Sequence, residues 1–184
     1  WLAELQFDFM TALAATEKME MKGEEDKKYL KLALLADLAG KDATPFYRAY
    51  LKVSKDTERS MAVAMELVRK SGYAVKELDN QSKLLAQNPE SLALITYEVY
   101  AQTGNSKVLD RILNDKKLVK TTFGLAALRT HLLSEYTALE QKFKSAVIDS
   151  SQQKKLTASL KRRVDMLNAT EKMAVQAVDA GEWA

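Results

Sequence analysis

Apolar residues return along this chain every three or four positions, and three of the runs they form stop at a glycine, Gly40, Gly72 or Gly104. That spacing is the mark of one buried helix face. Met61, Ala64, Met65 and Val68 fit the i, i+3, i+4, i+7 pattern without a miss ahead of Lys70, Ser71 and Gly72. Tyr29, Leu32, Ala33 and Ala36 lead in the same way to Gly40, and Leu92, Ile95, Val99 and Tyr100 to Gly104. The three glycines stand 32 residues apart. Glycine takes the left-handed conformation that ends a helix more cheaply than any other residue, so a periodic glycine marks a periodic helix end. A period of this size predicts stacked helix pairs.

The other elements follow from the same pattern. A first helix is predicted over residues 2–22, closed by Gly23, with Leu2, Leu5, Phe9 and Leu13 on one face. Glu24, Glu25 and Asp26 then put negative charge where the next helix dipole favours it. Thr44–Pro45 and Asn88–Pro89 each read as a cap followed by proline at the first helical position, with a further cap at Asp56 or Thr57. Ala74, Leu78 and Leu85 mark a helix after Gly72, and Ser106 is expected to cap a short helix that buries Val108, Leu109, Ile112 and Leu113. Lys116, Lys117 and Lys120 form a polar connection. A stripe of Leu125, Leu128, Leu132, Tyr136, Leu139 and Phe143 runs on unbroken to a turn at residues 150–153. A second long helix over residues 155–180 carries Leu160, Val164, Leu167, Met173 and Ala177. The expectation is one all-α domain over residues 1–184: a solenoid of stacked hairpins in a repeat-like region, 24–123, then a long helical hairpin, 124–180.

The run Glu90-Ser91-Leu92-Ala93-Leu94-Ile95-Thr96-Tyr97-Glu98-Val99-Tyr100-Ala101-Gln102-Thr103-Gly104-Asn105 resembles the first helix and turn of a tetratricopeptide repeat (TPR), and Asn88–Pro89 resembles the proline that separates such repeats. Residues 28–40 and 60–72 are similar in outline, and residues 177–184 look like the same turn recurring. The spacing is 32 residues, where about 34 is usual. The small residue of the first helix is present at Ala33 but replaced by Met65 and Tyr97 in the later units. A TPR-like α-solenoid implies a concave surface that grips a protein or peptide partner, and none of that family's functional residues carries over by position. A second resemblance, to the helical extracytoplasmic sensor domains of bacterial chemoreceptors and sensor kinases, rests on residues 97–113 and on Phe46-Tyr47-Arg48-Ala49-Tyr50. It implies a ligand-sensing bundle in which Arg48, Arg69 or Arg129 would clamp a carboxylate.

Composition sharpens the picture in a few places. Two prolines and six glycines leave little material for turns, in keeping with an all-α chain. With no cysteine there are no disulfides or thiolate zinc sites, and both cytoplasm and periplasm stay open. No run approaches the roughly 20 apolar residues of a membrane span, so membrane association is expected only through parts outside this sequence. The opening on Trp1 and the close on Trp183–Ala184 read as an excised piece of a longer chain. Net charge is +3 with both signs interleaved, which demands no nucleic acid.

Catalytic signals are sparse: one histidine, no glycine-rich phosphate loop and no nucleophile elbow, so the chain is read as a non-enzyme without cofactor or metal. His131 precedes Glu135 by four residues, a spacing that suits either a pH-sensitive pair or a core-edge histidine. Lys154, Lys155, Lys161, Arg162 and Arg163 are the densest cationic run; on a helix they spread around more than one side and read as a solvated face, the alternatives being an acidic partner, an anionic lipid surface or a phosphate backbone. Tyr47 with Tyr50, and Tyr97 with Tyr100, lie three apart on common faces, suited either to a core or to a binding groove. The residues expected to touch a partner are Tyr97, Tyr100 and Arg69. By analogy of fold, the expected work is a binding scaffold in a bacterial envelope assembly or secretion machine.

Overall fold

A computed structural model describes residues 2–179 and Gly181. Among them are ten α-helices, one 3-10 turn and no strand, so the chain is all-α. It divides into two compact units, residues 1–105 and 106–184, and the boundary falls between the seventh and eighth helices.

The first unit holds α1 (Leu2–Leu5), α2 (Phe9–Lys18), α3 (Glu25–Leu38), α4 (Thr44–Val53), α5 (Thr57–Lys70), α6 (Val75–Leu85) and α7 (Pro89–Thr103). From α2 onward each helix packs on the next, and α5 also packs on α7. Equivalent positions before each closing glycine point inward: Leu32, Ala64 and Thr96 are buried, and so are Leu35, Leu67 and Val99. The 32-residue spacing of the glycines is thus also a spacing of core residues. Gly40, Gly72 and Gly104 all hold positive φ, at 66°, 69° and 65°. After Gly40 the amide of Lys41 donates to the Ala36 carbonyl at 2.8 Å, and after Gly72 that of Tyr73 donates to Val68 at 3.0 Å. These are the same closure, a six-to-one bond that satisfies a carbonyl the helix leaves open. Gly104 differs. Its own amide donates to Tyr100, while the next amide, of Asn105, turns to the Thr103 hydroxyl at 3.3 Å.

Several predicted boundaries shift, each for a local reason. The single helix expected over residues 2–22 is two, because Phe7 sits at φ 57° and the Asp8 carboxylate caps a fresh start by accepting from the Thr11 amide at 3.1 Å. Leu2 and Leu5 are consequently exposed, not on a core face. This second helix stops at Lys18, well before Gly23, where the Lys28 ammonium takes the open carbonyls of Glu17 and Met19 at 2.9 and 2.6 Å. At the next cap it is Asp42 that accepts the Thr44 amide at 2.9 Å, so Thr44 is already helical and the cap position falls to Ala43. Asp56 and Asn88 cap as expected. The inward face of α5 centres on Ser60, Val63, Ala64, Leu67 and Val68, leaving Met61 and Met65 half-buried at its edge.

The second unit holds α8 (Ser106–Leu113), the 3-10 turn Leu118–Lys120, α9 (Thr122–Ser145) and α10 (Gln153–Asp179). Ser106 is the first residue of α8. The lysine-rich connection is more than a polar linker, since Asp115 accepts from the amides of Lys117 and Leu118 and folds it so that Leu118 is buried. That turn lies against the start of α9. A Cβ on Gly124 would sit 1.9 Å from the Leu118 carbonyl oxygen, a contact no side chain tolerates. In the α9–α10 hairpin, Leu125, Leu128, Leu132 and Leu139 are half-buried, Tyr136 and Phe143 exposed, and α10 buries no residue fully. Within this unit α9 packs on α8, on the 3-10 turn and on α10. The turn expected to recur over residues 177–184 lies largely outside the described residues.

Two glycine substitutions separate two mechanisms. In urea unfolding, Gly72→Ala is expected to cost about 1–2 kcal/mol from left-handed strain alone, since nothing lies within 4 Å of its Cβ, and Gly72→Asn less. Gly124→Ala is expected to cost about 3 kcal/mol, because backbone must move. A neutral Gly72→Ala would contradict the left-handed helix end.

Candidate functional site

Arg69 stands three residues before Gly72 on α5, and its guanidinium grips Glu98 of α7 in a two-pronged bond: Nε to Oε2 and Nη2 to Oε1, both 2.9 Å. Glu66 adds a longer contact at 3.8 Å. The Glu98 hydrogen bond comes first among the causes that raise the Arg69 pKa. A matching link joins α4 to α6, where Arg48 Nη2 donates to Glu77 Oε2 at 2.9 Å. Both pairs span 29 residues in sequence, but they are displaced from each other by 21 residues, not by the 32 of the glycines, and so do not follow the glycine period.

Asp37, three residues before Gly40, anchors a third link. Its carboxylate accepts the Tyr47 hydroxyl at 2.8 Å and pairs with Lys70 at 2.7 Å, which ties α3, α4 and α5 together at one point. Burial first, then the Asp37 bond, pushes the Tyr47 hydroxyl far above its ordinary pKa, and the Asp37 bond raises Lys70. Glu77 is the most enclosed carboxylate of these links, its side chain 8% exposed. Burial pushes its pKa up, but hydrogen bonds from Gln81 and Arg48 outweigh that and the net shift is downward. Every one of these shifts except that of the Tyr47 hydroxyl deepens the charged state, so Arg69, Lys70 and Glu77 hold helices together and are not poised to trade protons.

The tyrosines divide. Tyr47 and Tyr50 are buried, and the Tyr50 hydroxyl has no hydrogen-bond partner among the described residues. Tyr97 and Tyr100 are half-buried on α7, with ring centroids 6.2 Å apart and planes tilted by 38°. Glu98, the partner of Arg69, lies between them in sequence. The structure therefore brings the three expected contact residues onto the packed pair α5 and α7, with the Arg69 fork already filled from within the chain.

Comparison with protein-family models, with curated proteins and with solved structures found no match to this chain.

The other candidates are placed as plainly. His131, half-buried on α9, forms no ion pair with Glu135 among the described residues. Arg129 lines an apolar groove of about 420 Å³ on the hairpin with Leu132, Leu133, Tyr136, Met173 and Ala177. No cluster of three or more metal-binding side chains occurs among the described residues. What sequence reasoning missed are the carboxylates Asp37, Glu77 and Glu98. For Glu77 and Glu98 the one regularity in the sequence is the shared 29-residue offset from Arg48 and Arg69; Asp37 does not share it.

The lowered Glu77 pKa fixes a pH dependence. Its stabilising share is present above the ordinary value of 4.5 and is lost as pH falls through the lower folded value. Melting temperatures measured from neutral pH down to pH ~3 should therefore fall less steeply for Glu77→Gln than for the parent below that ordinary value. Parallel profiles would contradict the assignment.

Proposed function

We propose that this chain is a non-catalytic TPR-like binding scaffold whose partner is a protein or peptide. The observation that carries the reading is the recurrence of one design: helix, left-handed glycine, helix, with buried residues repeating at the same 32-residue offset. A stack of such units is quasi-one-dimensional and offers a long surface of first helices to a partner. On that surface the reading assigns contact to Tyr97 and Tyr100, whose half-buried rings present an amphipathic edge with little side-chain entropy left to lose. Arg69 joins them as the residue that fixes α5 against α7. The sensor alternative draws less support, because the guanidinium groups of Arg48 and Arg69 already hold Glu77 and Glu98. An envelope assembly or secretion machine is the setting to which analogy of fold points.

The test is affinity capture with the chain as bait, cross-linked and read by mass spectrometry, beside a Tyr97→Ala, Tyr100→Ala double variant of unchanged helicity. The reading predicts a protein captured by the parent and lost, by about tenfold or more, with the variant. Equal capture by both would remove the tyrosines from the interface, and stabilisation by a small carboxylate in place of any protein partner would favour the sensor.

A further inference from the structure

The turn end of the α9–α10 hairpin concentrates charge. Residues 140–163 carry seven cations, Lys142, Lys144, Lys154, Lys155, Lys161, Arg162 and Arg163, against two carboxylates, Glu140 and Asp149. The chain as a whole is only +3, so this segment holds more net positive charge than the entire molecule. Lys144 pairs with Glu140 and Lys155 with Asp149, while Arg163 donates to the Ala146 carbonyl and lies over the Phe143 ring. Lys142, Lys154, Lys161 and Arg162 have no carboxylate partner among the described residues.

Apolar groups are exposed at the same end. Val147, in the connection between the helices, is 81% exposed and Ile148 42%. On α10 Leu160, Val164 and Leu167, spaced i, i+4, i+7, form an exposed stripe. Lys161 borders that stripe, and one heptad back Lys154 shares its face. The two lysines line a shallow basin of about 460 Å³ with Gln153, Thr157 and Ala158. A solvated basic face would not need Val147 and Ile148 beside it. Exposed apolar side chains ringed by lysines that can extend toward phosphate are the combination an anionic bilayer surface accepts.

We propose that the turn end of the α9–α10 hairpin docks on an anionic lipid bilayer surface. Val147, Ile148 and the Leu160–Val164 stripe enter the interface, and Lys142, Lys154 and Lys161 meet lipid phosphates; Arg162 stands on the opposite side of α10 from the stripe and is not part of the contact. The contact is peripheral, since no helix among the described residues is long and apolar enough to cross a membrane. It is independent of the Tyr97–Tyr100 reading, which rests on the other unit.

The test is co-sedimentation of the whole chain with vesicles of phosphatidylcholine alone and of phosphatidylcholine mixed with phosphatidylglycerol. Binding is expected to the mixed vesicles only, weakening as salt rises. It should fall about tenfold or more both in Val147→Asp, Ile148→Asp and in Lys154→Glu, Lys161→Glu, and persist in the Tyr97→Ala, Tyr100→Ala variant. All these positions in the second unit are exposed, so melting temperatures should match the parent. Absence of binding at low salt, or equal binding to both vesicle types, would overturn the proposal. So would a Val147→Asp, Ile148→Asp chain that binds as before and is displaced by polyglutamate, which would assign the basic end to an acidic protein.

Discussion

A helix that must stop and hand the chain to a neighbour needs somewhere for its last carbonyls to go, and the first unit depends on how Gly40 and Gly72 meet that need. The helices concerned have 10 to 15 residues, a length at which an isolated helix in water is marginal at best. Their stability comes from packing each on the next, and packing requires a sharp reversal. Left-handed glycine supplies the reversal, and the bonds from Lys41 to Ala36 and from Tyr73 to Val68 keep it from exposing unsatisfied backbone. Once the reversals are set at equal intervals, Leu35, Leu67 and Val99 fall at equivalent inward positions. Asp37, Arg48 and Arg69 then stand where a carboxylate, tyrosine or lysine of a later helix can reach them.

The polar links follow from the packing, not the reverse. Arg69 and Glu98 are each about one-third exposed, and such a pair contributes little by itself. Its two-pronged geometry fixes the orientation of α7 on α5 more than it adds stability. The second unit runs on different terms. Its long helices pack without burying a residue of α10 fully, and the hairpin is held at its turn by Arg163, which bonds Ala146 and covers Phe143. Apolar surface left over on such a pair is available for work that a closed core is not.

Much of this was legible in the sequence because it is local. A glycine after an amphipathic run, Asn88 before Pro89 and Asp56 before a helix carry their meaning within four residues, and each stands where expected. Where reading failed, a second local signal or a distant partner had intervened. Asp8 outcompeted the continuing helix, Asp42 bound the Thr44 amide and the cap position fell to Ala43, and Lys28 reached back across eleven residues to finish α2. The turn of the α5 face by about one residue, away from Met61 and Met65, could not be read locally, because it reflects which neighbours arrive on either side. The tyrosine pairs show the same limit: identical spacing puts Tyr47 and Tyr50 in the core and Tyr97 and Tyr100 at its edge. Arg69 was singled out for its charge, and only the fold reveals that Glu98 holds it.

The repeated helix end is the claim on which the rest stands, and amide hydrogen exchange resolved to single residues tests it most directly. The amides of Lys41 and Tyr73 lie just past their helices, where an ordinary frayed end exchanges quickly. If the left-handed closure forms after both Gly40 and Gly72, the two should be protected to a degree close to that of the amides inside α3 and α5, and the Asn105 amide, which turns to the Thr103 hydroxyl at 3.3 Å instead of closing on a helix carbonyl, should exchange faster. Rapid exchange at Lys41 and Tyr73 alike would contradict the repeat.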